Sequence, residues 1–234
     1  MLPLLNGKNL TFGEPNMLAD GTMVMPLDFR FFVSEVALLE PDGTQQRVDL
    51  VTATGVREPY GVHLVNAEDP PSMMLRILAP PRAYSGLSFT LGLEDACNAG
   101  PATRGDPLSE ASQMTWPHLG AGYLFLRYEA SVSPPTTPGA PSGSATVTSP
   151  AEIHMGGVVG QIFAPTVRAP GDFTVSATNT VVSLHLRLSV DQILQAAVAP
   201  VNPSPLLGIL TPDVLAGEAL RQAIPTLAIF SLAP

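Results

Sequence analysis

The chain has 234 residues, enough for one large β domain with a substantial core. Hydrophobic residues make up 45% and charged residues only 13%, with 25 prolines and 20 glycines, a balance that excludes a helical bundle and favours short strands joined by turns. A net charge of −9, with ten arginines and the single lysine Lys8, excludes nucleic acid as a partner, because no basic cluster offsets the repulsion of a phosphate backbone.

The opening Met1-Leu2-Pro3-Leu4-Leu5-Asn6-Gly7-Lys8 lacks the basic region and the long apolar run of a secretory signal. It is read either as a cytosolic start or as a chain whose leader has been removed. The first strong strand is Leu27–Leu39, with Phe29, Phe31 and Val33 on one face and Arg30, Phe32, Ser34, Val36 and Leu38 on the other. Glu40-Pro41-Asp42-Gly43-Thr44 reads as a turn, since proline presets φ and glycine accepts a positive φ. Gln46–Val51 returns as the hairpin partner, and strands follow at Tyr60–Asn66, Met73–Leu78 and Gly86–Leu93.

Glu94–Gln113 has little periodicity and reads as a long excursion, functional or disordered. Within it Cys97 is the only cysteine, so no intramolecular disulfide can form. Trp116-Pro117-His118 follows the excursion, just before a strand at Ala121–Glu129. Ser133–Ser144 is rich in Pro, Ser, Thr and Gly and reads as a loop inside one domain spanning residues 1–234. Further strands are expected at Glu152–Met155, Val158–Phe163, Phe173–Ala177 and Val181–Leu188, the last with Val182, Leu184, Leu186 and Leu188 inward. Ser189 and Gln192 have capping-box spacing for a helix, and Thr211-Pro212 starts a second that Pro225 ends. The fold class is all-β: an antiparallel, Greek-key-like β-sandwich with short C-terminal helices. No apolar run approaches the roughly 18 residues needed for a transmembrane segment.

The chemistry centres on Trp116-Pro117-His118, which holds the only tryptophan and one of four histidines. Pro117 fixes its own φ and keeps Trp116 out of the helical region, so the indole and imidazole fall on one side of an extended segment, with Met114 sharing that face. Two readings fit this pattern: half of a small metal site, with copper the first metal to consider, or a core anchor beside an ordinary histidine. His154 lies before Gly156-Gly157, where backbone can approach closely, and is the second candidate ligand; His63 and His185 are its alternatives. Asp106, Glu110 and Glu129 lack the spacing of a calcium loop and read as solvated surface charge. A hydrolase reads poorly, with no Gly-x-Ser-x-Gly elbow and no basic neighbour in sequence to activate Cys97.

Four segments in order resemble the MbnP-like copper-binding proteins: Asp28–Val36, Tyr84–Gly92, Trp116 with Gly122–Arg127, and Ile153–Gly156. The Trp-x-His spacing is closest to the MopE/CorA-type methanotroph surface copper proteins. That resemblance implies a single copper ion held by two histidines, His118 and His154, and by a kynurenine made from Trp116. It further implies a diheme oxidase as the modifying partner, a periplasmic, cell-surface or secreted location, and binding without catalysis. Two departures stand out: Asn98-Ala99 replaces the family's Asn-His, and its paired cysteines are missing. The contrasting expectation is a metal-free structural or protein-interaction β-sandwich, with Trp116 as an anchor.

Overall fold

The computed structural model describes residues 1–18, 21–98, 104–115, 122–133, 149–156, 164–178, 181–193, 209–210, 222, 224–225 and 230–233. In chain order its strands are β1 (Leu2–Leu5), β2 (Lys8–Asn9), β3 (Asn16–Met17), β4 (Met23–Leu39), β5 (Gln45–Arg47), β6 (Val62–Asn66) and β7 (Ala83–Leu91). After the one-turn helix α1 (Asp95–Asn98) come β8 (Leu124–Ser133), β9 (Ser149–Gly156), β10 (Thr166–Thr174), β11 (His185–Ser189), β12 (Ile209–Leu210) and β13 (Phe230–Ala233).

The organising element is β4, whose Phe29, Phe31, Phe32, Val33, Val36 and Leu38 are all buried. Along one edge it pairs with β8 from Met23 to Phe31 and then with β7 from Val33 to Leu39. The opposite edge carries β3, β6 and β5 in turn. One strand therefore serves two neighbours on the same edge, and it bends to do so. The register slips between Ser34 and Ala37, where Glu35 takes φ 49°, the left-handed geometry of a bulge. Thr90 Oγ1 donates to the Glu35 carboxylate at 3.0 Å and Arg47 lies 3.2 Å from it, so the strained residue is held from two sides.

The larger sheet runs β10-β7-β4-β8-β9-β12, and a four-stranded sheet runs β13-β11-β1-β2. Phe230 of β13 joins them, its ring centroid 5.1 Å from Phe89 and 6.4 Å from Phe31, edge-on to both. The all-β sandwich read from the sequence is the observed fold. Most pairings are antiparallel, but β1 pairs parallel with β11 and β12 parallel with β9. Neither parallel pairing is visible locally, because each partner lies far along the chain.

The expected elements shift in instructive ways. β4 starts at Met23 rather than Leu27, because Pro26 sits at a register slip where its missing N–H breaks no ladder. The Glu40–Thr44 turn forms as expected: Asp42 Oδ1 accepts the Thr44 N–H at 2.8 Å and Gly43 takes φ 88°. Met73–Leu78 makes only an isolated bridge, Leu50 to Ile77, since Pro70, Pro71, Pro80 and Pro81 flank it and cannot donate to a ladder. Leu186 and Leu188 are buried as read, and residues 190–193 are helical after Ser189. The expected strand Val158–Phe163, the helix from Thr211 and nearly all of the 133–144 loop lie outside the described residues. No described helix is long and apolar enough to cross a membrane.

Candidate metal centre

The described part of the site is built on β4, β8 and β9. Cross-strand register places Arg30 opposite Arg127, and Arg127 opposite His154. Residues two apart on a strand share a face, so Asp28 joins Arg30 and Glu129 joins Arg127 in the same array. Two neighbouring guanidiniums would repel, and Asp28 separates them: its carboxylate lies 2.9 Å from Arg30 Nε and 3.2 Å from Arg127 Nε. Arg127 Nε also donates to Glu129 Oε1 at 2.8 Å. The same Glu129 oxygen lies 2.9 Å from His154 Nε2. Glu68, 3.8 Å from Arg30, closes the far end.

Burial pushes the Glu129 carboxyl up, but hydrogen bonds from Arg127 and His154 and their charges outweigh it and leave the group below its ordinary range. Burial likewise works against the Arg127 cation, yet its bond to Glu129 and the nearby carboxylates raise its pKa further. Reading Glu129 as solvated surface charge is therefore corrected: its side chain is only 25% exposed and is bonded on two sides. The signal was present in the sequence. Asp28-x-Arg30 and Arg127-x-Glu129 are charged pairs at strand spacing inside otherwise apolar strands.

The arginines also reach across to the chain segment that leads into Trp116. Arg30 Nη1 donates to the Ser112 carbonyl at 3.1 Å, and Arg127 Nη1 to the Gln113 carbonyl at 3.0 Å. Gln113 has φ 57°, so the backbone turns sharply where it is gripped. Beyond it, Thr115 bridges Tyr123 and the Leu124 N–H donates to the Met114 carbonyl at 2.7 Å. Asn98 Oδ1 accepts the Tyr123 N–H at 2.9 Å, tying α1 to this hairpin base. The flanks of residues 116–121 are thereby fixed together at the end of β8, where Leu124 pairs with Gly156 of β9.

Trp116 and His118 themselves lie outside the described residues. Met114 is fully buried in the core, where its side chain packs rather than faces outward. His154 stands on β9, 19% exposed, and its Nδ1 makes no hydrogen bond among the described residues. Neither alternative histidine is brought beside it. His63 is on β6, three strands and roughly 14 Å away in the sheet, with Nε2 2.6 Å from the Ser72 carbonyl and Nδ1 3.7 Å from Glu58. His185 is exposed on β11 in the other sheet. Among the described residues no group of three or more His, Cys, Asp or Glu side chains converges as a metal cluster. A groove of about 680 Å³ lies along the other edge of β4, where Arg47 faces Glu35 and Glu94, away from His154.

A two-sheet β-sandwich with a charged array on its larger sheet, and with residues 112–115 clamped beside it, is the class of structure in hand. The MbnP family profile matches residues 2–204, and the chain belongs to that family. The solved structure of MbnP from Methylosinus trichosporium has the same fold, with a TM-score of 0.59 and 18% identity over 99% of this chain and 96% of that one. A search of curated proteins found no match.

Proposed function

We propose that this protein captures or stores one copper ion, bound by His118, His154 and a kynurenine derived from Trp116. The observation that supports this most directly is the Thr115–Tyr123 bridge beside the Leu124–Gly156 pair. It ties both flanks of residues 116–121 to the end of β9, two residues beyond His154. Family membership supports the same reading, since the matched span includes all three positions.

Imidazole nitrogens suit copper in either oxidation state, and no calcium-type carboxylate spacing competes. An indole N–H is a donor only. Cleavage of the Trp116 indole C2–C3 bond would add one oxygen atom to each carbon from a peroxide or dioxygen co-substrate. Hydrolysis that releases the former C2 as formate would then leave an aryl amine in its place, a nitrogen with a lone pair for the metal. The oxidant belongs to a diheme oxidase, the partner class that the family resemblance implies. The chemistry proposed is binding rather than turnover, in the periplasm or at the cell surface.

The test is copper affinity by chelator competition, with mass mapping of the Trp116 peptide from protein made in its own host. His118→Ala and His154→Ala are each expected to abolish tight binding, and the native peptide to carry the kynurenine mass. Wild-type affinity in His118→Ala would overturn this ligand set. An unmodified Trp116 with no copper bound even after copper is added would leave a metal-free interaction sandwich as the better account.

A further inference from the structure

The array around His154 extends past any need of one ligand. Glu129 Oε1 accepts from both Arg127 Nε and His154 Nε2, at 2.8 and 2.9 Å. A carboxylate has no proton to give, so the histidine nitrogen facing it must carry one. In the neutral ring the lone pair is then on Nδ1, the nitrogen left without a hydrogen bond among the described residues.

We infer that Glu129 is a positioning residue for this site, holding His154 by Nε2 so that Nδ1 is the nitrogen offered to the metal; this rests on the copper reading above. A carboxylate behind a metal-binding imidazole fixes both its tautomer and its ring plane. Glu129 can do so because it is itself immobilised. Arg127 holds it, Asp28 at 8% side-chain exposure holds Arg127, and the two arginines grip the Ser112 and Gln113 carbonyls. His154 and the chain entering Trp116 are thus referred to one rigid frame.

The test starts with the apoprotein labelled with nitrogen-15 at histidine, near pH 8. His154 is expected to show a protonated Nε2 and an unprotonated Nδ1. Glu129→Gln keeps an acceptor oxygen and should keep that tautomer; Glu129→Leu should lose it. With copper added, Glu129→Leu is expected to bind roughly 10–100-fold more weakly and with an altered Cu(II) EPR spectrum. Glu129→Gln should stay within about threefold of wild type, because its amide oxygen replaces the bond.

An Nδ1–H tautomer in the wild-type apoprotein would overturn the inference, whether or not Glu129→Leu folds. Wild-type affinity and EPR in a folded Glu129→Leu would overturn it too, and if His154→Ala still abolished binding the copper reading would survive. Wild-type affinity in His154→Ala would instead remove His154 from the site, and the role of Glu129 with it.

Discussion

Replacing Tyr128 with phenylalanine should stabilise the protein. Tyr128 is 1% exposed on β8, its ring edge-on to Phe29 at 5.9 Å and 72°, and its hydroxyl has no hydrogen-bond partner among the described residues. Burying a hydroxyl without a partner costs roughly 1–3 kcal/mol in proteins, and removing it leaves the ring contacts in place. Allowing for the small void left by one oxygen, the expected gain is about 1 kcal/mol, or a Tm about 2–4 °C higher for a chain of this size. Alkaline titration gives an independent readout. Burial pushes the Tyr128 phenol well above its ordinary pKa, so above roughly pH 10 the unfolded chain releases that proton while the folded one keeps it. The unfolded state then binds fewer protons, and stability falls as pH rises. Tyr84 and Tyr123, also raised chiefly by burial, contribute in the same direction. Tyr128→Phe should therefore be both more stable at neutral pH and less steeply destabilised above pH ~10. A lower Tm at neutral pH, or an unchanged alkaline slope, would mean the hydroxyl is satisfied and would refute the reasoning.

Gly92→Ala should destabilise by roughly 2–4 kcal/mol, read as a shift in urea midpoint. Gly92 has φ 126°, and an added Cβ would meet Phe125 Cγ at 2.7 Å where β4 passes from β8 to β7; an unchanged midpoint would show that this junction yields. Asn98→Ala removes the Oδ1 that accepts the Tyr123 N–H and should cost about 1–3 kcal/mol in the same assay, with a near-neutral result placing the anchor of the hairpin base elsewhere. Cys97 is buried, and its pKa is raised first by burial and then by Glu94 despite Arg104, so maleimide labelling should be at least about tenfold slower than in denaturant. Labelling complete within mixing time would contradict that placement.

What the sequence revealed follows the range of its interactions. The Asp42-Gly43 turn and the Leu186–Leu188 alternation are set by neighbours within a few residues, and each appears as read. Phe29–Leu38 is a strand as read, but its bulge at Glu35 breaks the alternation and moves Val36 and Leu38 to the face of Phe29, Phe31 and Val33. Met73–Leu78 looked like a strand by composition, yet its proline flanks denied it a ladder. The parallel pairing of β1 with β11 depends on residues more than 180 positions apart, as Leu2 facing Arg187 shows, and no local pattern encodes it. At the proposed site, Glu129 was misread as solvated because its partner His154 comes from another strand and the charges around it are brought in by pairing. Register alone brings Arg127 and His154 face to face.

Stability does not account for that charged array. Asp28 is 6% exposed, and taking it and two guanidiniums out of water costs several kcal/mol per ion before their attraction returns any of it. Leucine or methionine at these positions would fill the same space, and such replacements are often neutral or stabilising. An apolar side chain, however, cannot accept from His154 Nε2 or donate to the Ser112 and Gln113 carbonyls. All three contacts lie toward one end of the β8–β9 pair, on the two chain segments that lead to the proposed ligands. A polar cluster kept for fold specificity alone could have faced any neighbour along the 17 residues of β4. Its contacts instead converge on His154 and on the approach to Trp116, which is the distribution expected of a frame that sets the geometry of a binding site.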